Sequence, residues 1–242
     1  MEEQKMLIKK LFNFKNKSKL NEDNNNYLQN SELESVQTVG IIGDSVSFGL
    51  KSSMNYGQYL QKITGGVVQN LAYSGAHLSD NGRKSIFQQS QCLDRCDLYI
   101  LQGTDDDWLA NVPIGKKGDT AKQSYIGAFY QTVSQLRHLN AMAKIIIVST
   151  TFQTPMWGNV VRRTDRTENT LGYSLHDYMA AQKKACDDLK LPFVNLMRQT
   201  LFDPNKKTFR QKYMPDGLHP NKEGHQIIAN EIVRVYKENF GF

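Results

Sequence analysis

The sequence predicts an α/β domain built on a parallel sheet with helices over both faces. Three observations carry this. From Val36 onward, short apolar runs rich in β-branched residues alternate with helix-length amphipathic stretches. The chain has 242 residues, 39% of them hydrophobic, enough for a sizeable core that needs neither disulfides nor a structural metal. No internal repeat and no second compositional break divides the stretch from Val36 to the C-terminus.

Thr38–Ile42 is the first strand, a β-branched run that stops at Gly43. A helix is expected over 50–63, then a strand at Val67–Leu71 opened by two valines. Leu98–Leu101 is a short, wholly apolar strand, and the stretch 122–139 has helical length and spacing. Lys144–Ser149 holds three consecutive isoleucines and a valine, as expected of a strand buried on both faces. A helix over 174–190, a strand at Pro192–Leu196 and a last helix over 221–238 complete the alternation.

Residues 1–35 differ from the rest of the chain. They hold six lysines and six acidic residues, run through Asn24, Asn25 and Asn26, and contain no Gly or Pro. Leu7, Ile8, Leu11 and Phe12 fall on one side of a helical wheel, with Lys5, Lys9 and Lys10 elsewhere. The division is therefore an N-terminal extension, 1–35, and a main domain, 36–242. The extension reads as a tail or a helix packed on the domain; the alternative is weak membrane-surface contact through residues 5–20.

The net charge is +6, and since the extension is neutral, all of it lies in 36–242. A basic balance raises the question of nucleic acid, but the charges are scattered and no helix-turn-helix, RNA-binding or zinc-finger spacing occurs, so no nucleic-acid partner is expected. Cys92, Cys96 and Cys186 form an odd set without CxxC spacing, which argues for reduced thiols and against a zinc cluster. No apolar run reaches the roughly 20 residues of a membrane span, and the start of the chain lacks the continuous apolar stretch of a signal peptide. The expected location is the cytoplasm.

In parallel α/β sheets, chemistry gathers beyond the carboxyl ends of the strands. The first strand ends in Gly43-Asp44-Ser45, a tight turn that can expose a serine hydroxyl; Ser47 stands where a GxSxG elbow would have its second glycine. Ser45 could equally serve as a helix cap. The second strand leads to Tyr73-Ser74-Gly75, where a glycine can turn a bare N–H toward a ligand. The third leads to Gly103-Thr104-Asp105-Asp106-Asp107, three adjacent carboxylates that suit a metal site or a solvated turn. Before the last helix stands Asp216-Gly217-Leu218-His219, a carboxylate three residues before a histidine that it can orient as a general base. The other histidines, His77, His138, His176 and His225, have no such neighbour and read as structural or surface residues.

Taken together and in this order, the four segments resemble the SGNH, or GDSL-type, hydrolase family. The resemblance extends over about residues 36–240, and Asn169–Tyr178 and Asp216–Gly224 are similar to members from Gram-positive bacteria. It implies a flavodoxin-like three-layer α/β/α sandwich with a five-stranded parallel sheet. It also implies an esterase or acylhydrolase with Ser45 as nucleophile, His219 as base and Asp216 orienting the imidazole. The oxyanion would be received by the backbone N–H groups of Ser45 and Gly75 and by the side chain at position 105. No cofactor and no metal is expected.

One position departs from the family pattern. The third block ordinarily reads Gly-x-Asn-Asp, and here Asp105 stands in place of the amide donor. An ionised carboxylate has only acceptors. Three readings stay open: Asp105 is held protonated by burial and its acidic neighbours and donates a hydrogen bond, the site is weakened or silent, or the residue is a change peculiar to this sequence.

On the substrate side, the loop after the fourth strand carries Trp157, Arg162 and Arg163, and Asp44 is counted with them. A second basic run spans Lys206, Lys207, Arg210 and Lys212 and reads as a solvated loop. The expected substrate is a small acyl ester, with a short O-acyl group on a saccharide favoured over a long-chain lipid because no apolar lid is evident. A bacterial exopolysaccharide deacetylase would fit. The main rival is a catalytically silent carbohydrate-binding member of the same fold. A metal-dependent phosphoesterase built on Asp105, Asp106 and Asp107 is a further rival, and it lacks histidines at ligand spacing.

Overall fold

A computed structural model describes residues 33–198 and 201–241. The expected amphipathic helix and membrane contact of residues 5–20 lie outside the described residues. Five strands pair in parallel in the order β2-β1-β3-β4-β7: β1 Thr38–Ile42, β2 Val67–Asn70, β3 Leu98–Gln102, β4 Lys144–Val148 and β7 Phe193–Val194. Two further strands, β5 Met156–Trp157 and β6 Val160–Val161, form a small antiparallel hairpin beyond β4. The helices are α1 Ser45–Phe48, α2 Tyr56–Thr64, α3 Ile86–Gln91, α4 Asp106–Leu109, α5 Tyr125–Leu139, α6 Leu175–Leu189, α7 Lys207–Tyr213 and α8 Lys222–Phe240, and a 3-10 turn spans Leu33–Ser35.

The period of two along each strand divides the core in half. Val39, Ile41, Leu98, Ile100, Ile146 and Val148 face α2 and α8, where they meet Tyr56, Leu60, Ile228 and Ile232. Ile42, Tyr99, Leu101, Ile145 and Ile147 point the other way, toward Phe129, Leu136 and Tyr178 of α5 and α6. All these side chains are buried, each aliphatic one contributing roughly 1.5–3 kcal/mol relative to exposure. The expected three layers and five parallel strands are present.

The differences from the sequence reading are local. The expected helix over 50–63 starts only at Tyr56, because Asn55 forms a capping box with Gln58. A separate short α1 ends at Gly49. The basic run expected to be a loop is largely helix α7. Leu33, on the extension side of the expected boundary, is buried with Val36 in the core that holds Tyr56. Among the described residues no helix is long and apolar enough to cross a membrane. All three cysteines are free; Cys96 and Cys186 are buried and Cys92 is exposed.

Candidate active site

At the end of β1 the chain turns through Gly43 into α1. Asp44, not Ser45, takes the capping position: its Oδ1 accepts from the Val46 N–H at 2.8 Å. Its Oδ2 accepts from Gln102 Nε2 at 3.1 Å, and its own N–H donates to Gln102 Oε1 at 3.2 Å. Asp44 is fully buried. Its expected place on the substrate side is therefore corrected: a carboxyl with both oxygens engaged under the turn holds α1 against β3. Because Asp44 caps the helix, the Ser45 hydroxyl is left for another partner.

That partner is His219, whose Nε2 lies 3.1 Å from Ser45 Oγ. His219 Nδ1 lies 2.8 Å from Asp216 Oδ2, which assigns the proton to Nδ1 and leaves Nε2 as an acceptor facing the hydroxyl. Asp216 Oδ1 accepts from the N–H groups of Leu218 (3.0 Å) and His219 (2.7 Å), so the carboxylate and the imidazole are fixed by one turn. Burial works against the charge of Asp216, but the bonds from the His219 ring and from the two backbone groups outweigh it and hold the carboxyl below the usual range. Lys51 Nζ, 3.2 Å from Asp216 Oδ2, is a neighbour without a sequence signal; it is 64% exposed, so the pair adds little.

The turn is stitched to the loop after β4. Thr154 N–H donates to the Gly217 carbonyl at 2.8 Å, and Met156 N–H to the Asp216 carbonyl at 3.0 Å. After β2, Gly75 adopts φ +78, and a Cβ there would meet nothing within 4 Å, so its surroundings are open. Among the described residues neither the Ser45 N–H nor the Gly75 N–H has an acceptor. The loop after Gly75 is anchored by Asp107, which accepts from the N–H groups of Leu78 and Ser79.

Asp107 is thereby removed from the expected acidic trio. The carboxylates that do converge are Asp44, Asp105 and Asp106, with oxygens within 4.8 Å of one another. Burial, then the charges of Asp106 and Asp105, push Asp44 well above the usual carboxylate range. Burial, then Asp105, push Asp106 up to about 7. The positive charge beside them is Arg163, whose Nη2 lies 3.6 Å from Asp105 Oδ2. Arg163, expected on the substrate side, has a side chain only 17% exposed that lies over the Trp108 ring, 5.7 Å from the centroid. Arg162, next to it, points outward over Trp157 at 5.7 Å, and Trp157 itself is 74% exposed.

Two other histidines have roles that their sequence neighbours do not show. His176 Nε2 meets the buried Asp165 at 2.6 Å and ties the loop after β6 to α6. His225 is fully buried beside Tyr56 with neither ring nitrogen partnered among the described residues. In the second basic run, Lys206 pairs with Asp203 at 3.3 Å and Arg210 Nη1 donates to the Pro204 carbonyl at 2.8 Å.

The arrangement can activate the Ser45 hydroxyl through His219. A family model for GDSL-like lipases and acylhydrolases matches residues 41–227. Among solved structures, a protein from Lactobacillus plantarum is 21% identical with a TM-score of 0.73, over 85% of this chain and 98% of that one. A possible lipase from Chitinophaga pinensis is 18% identical with a TM-score of 0.67, over 85% and 99%. A catalytic mutant of an acetylxylan esterase from Geobacillus stearothermophilus is 16% identical with a TM-score of 0.54, over 82% and 93%. No curated protein sequence matches the chain.

Proposed function

The chain belongs to the GDSL-like lipase/acylhydrolase family, and from that premise we propose that Ser45, His219 and Asp216 carry out ester hydrolysis through an acyl-enzyme. The observation that carries the proposal is the continuous line of contacts from Asp216 to the His219 ring to Ser45 Oγ. His219 Nε2 takes the hydroxyl proton as Ser45 attacks the acyl carbon. The imidazolium that forms is stabilised by the ionised Asp216 and returns the proton to the leaving alcohol. The negative oxygen of the tetrahedral species is received by the N–H groups of Ser45 and Gly75. Water, deprotonated by His219, then releases the acyl group.

For the substrate we propose a short acyl group, such as O-acetyl, on a saccharide. Exposed Trp157, with Arg162 over its ring, offers an aromatic face of the kind on which a sugar can stack. The acetylxylan esterase that shares this fold supports the choice of ester. The competing reading, a silent carbohydrate-binding protein, is motivated by Asp105 at the amide position. Hydrolysis of nitrophenyl acetate against butyrate and octanoate esters, with Ser45→Ala as control, tests both. Turnover that falls with chain length and vanishes in Ser45→Ala supports the proposal. Longer esters preferred over acetate would overturn the short-acyl assignment, and no turnover of any ester would favour the silent protein.

A further inference from the structure

Asp105 is 5% exposed, and although it precedes α4 at the capping position its side chain bonds no helix N–H. It stands against Asp44 and Asp106, so nothing from β1, α1 or α4 offsets a charge there. A carboxylate in this setting is unfavourable by itself. Its carboxylate lies within 4.8 Å of that of Asp44, the residue that precedes Ser45, and acyl transfer on Ser45 develops negative charge on the substrate oxygen.

The offset comes from a distant part of the chain. Just beyond β6, Arg162 lies over the exposed Trp157 and Arg163 reaches Asp105. The Arg163 guanidinium has three neighbours: its Nη2 lies 3.6 Å from Asp105 Oδ2 and donates to Gln153 Oε1 at 3.4 Å, and its centre lies over the Trp108 ring. Gln153 is in turn fixed through its N–H, which donates to Asp165 Oδ1 at 3.2 Å. The residues that hold the guanidinium are themselves buried, so its position is set by packing.

We propose that Arg163 is a positioning residue of the acyl-transfer site. Its guanidinium neutralises Asp105 and holds that carboxylate off the developing oxyanion, so that Asp105 and Arg163 together replace the amide side chain of the third block. The inference rests on Ser45 being the nucleophile. It makes the acid at position 105 compatible with catalysis through a counter-charge.

Kinetics on nitrophenyl acetate test it in wild type, Arg163→Met, Arg163→Lys, Asp105→Asn and the Asp105→Asn/Arg163→Met double variant, with fluorophosphonate labelling of Ser45 in the wild type. Arg163→Met should lower kcat about 100-fold with KM changed by less than about threefold. Arg163→Lys should recover about tenfold of that loss, and adding Asp105→Asn to Arg163→Met should recover most of it. An Arg163→Met loss of equal size in both backgrounds, or no loss, would overturn the inference. If Arg163→Met does not fold, Arg163→Gln carries the same comparison. Wild type that labels and turns over without this coupling overturns the Arg163 role alone. Wild type that does neither overturns the Ser45 assignment and this inference with it.

Discussion

Acidifying the protein from pH 7 to pH 4 tests how the core holds His225. The ring is fully buried on α8, its centroid 6.1 Å from that of Tyr56. Burial, and after it the neighbouring His219, push its pKa down from 6.5 to about 4. With the folded-state value depressed, the unfolded chain takes up the proton first. The stability this neutral ring contributes is complete above pH 6.5 and is lost as pH falls toward 4. At about 1.4 kcal/mol per pH unit, the loss comes to about 3 kcal/mol. Asp44 and Asp106 act in the opposite sense. Their carboxyls are raised, so the folded protein holds their protons more tightly and they add stability as pH falls through the same range. The His225 contribution is therefore isolated as a difference between wild type and His225→Leu, each unfolded in urea at pH 7 and at pH 4. Between the two conditions the leucine variant should gain about 3 kcal/mol on the wild type, since it has no ring to protonate. A difference that stays constant from pH 7 to pH 4 would refute a depressed, buried histidine.

Three further outcomes are expected of the site. Asp216→Asn keeps an oxygen for the Leu218 and His219 N–H groups but loses the charge and the imidazole tautomer; kcat on nitrophenyl acetate should fall roughly 10³–10⁴-fold with the melting temperature little changed. Gly217→Ala puts a Cβ 1.8 Å from the Thr154 carbonyl oxygen at φ +75 and should cost about 3 kcal/mol in urea unfolding, whereas Gly75→Ala, at φ +78 in open space, should cost about 1 kcal/mol. Trp157→Ala, at an exposed hairpin, should change stability by less than about 0.5 kcal/mol, and it should raise KM for an acetylated oligosaccharide roughly tenfold.

How far the sequence reveals this site depends on the distance over which each signal acts. The alternation of strands and helices is readable because Lys144–Val148 and its fellows are runs long enough to show their period. Helices α1, α3 and α4 have only four to six residues and show none. Ser45, Asp216 and His219 can be gathered from sequence since each stands in a turn at a strand end or before a helix, where local chemistry is legible. Asp44 is misplaced by sequence because capping and substrate contact call for the same residue type, and only burial separates them. The Arg163–Asp105 and His176–Asp165 pairs have no local signature; they arise where the loops after β4 and β6 fold back over α4 and α6. The acidic trio differs from its expected membership by one residue for a similar reason. Asp107 is adjacent in sequence, but its place on α4 directs it to Leu78 and Ser79, while Asp44 arrives from another strand end.

The central claim is that Ser45 is a nucleophile activated by His219. Intact-mass measurement after exposure to a fluorophosphonate addresses it without any knowledge of the natural ester. The account predicts one adduct per chain, located on Ser45, lost in Ser45→Ala and formed much more slowly in His219→Ala. A chain that takes up no adduct, or takes it up equally well after Ser45→Ala, would contradict it.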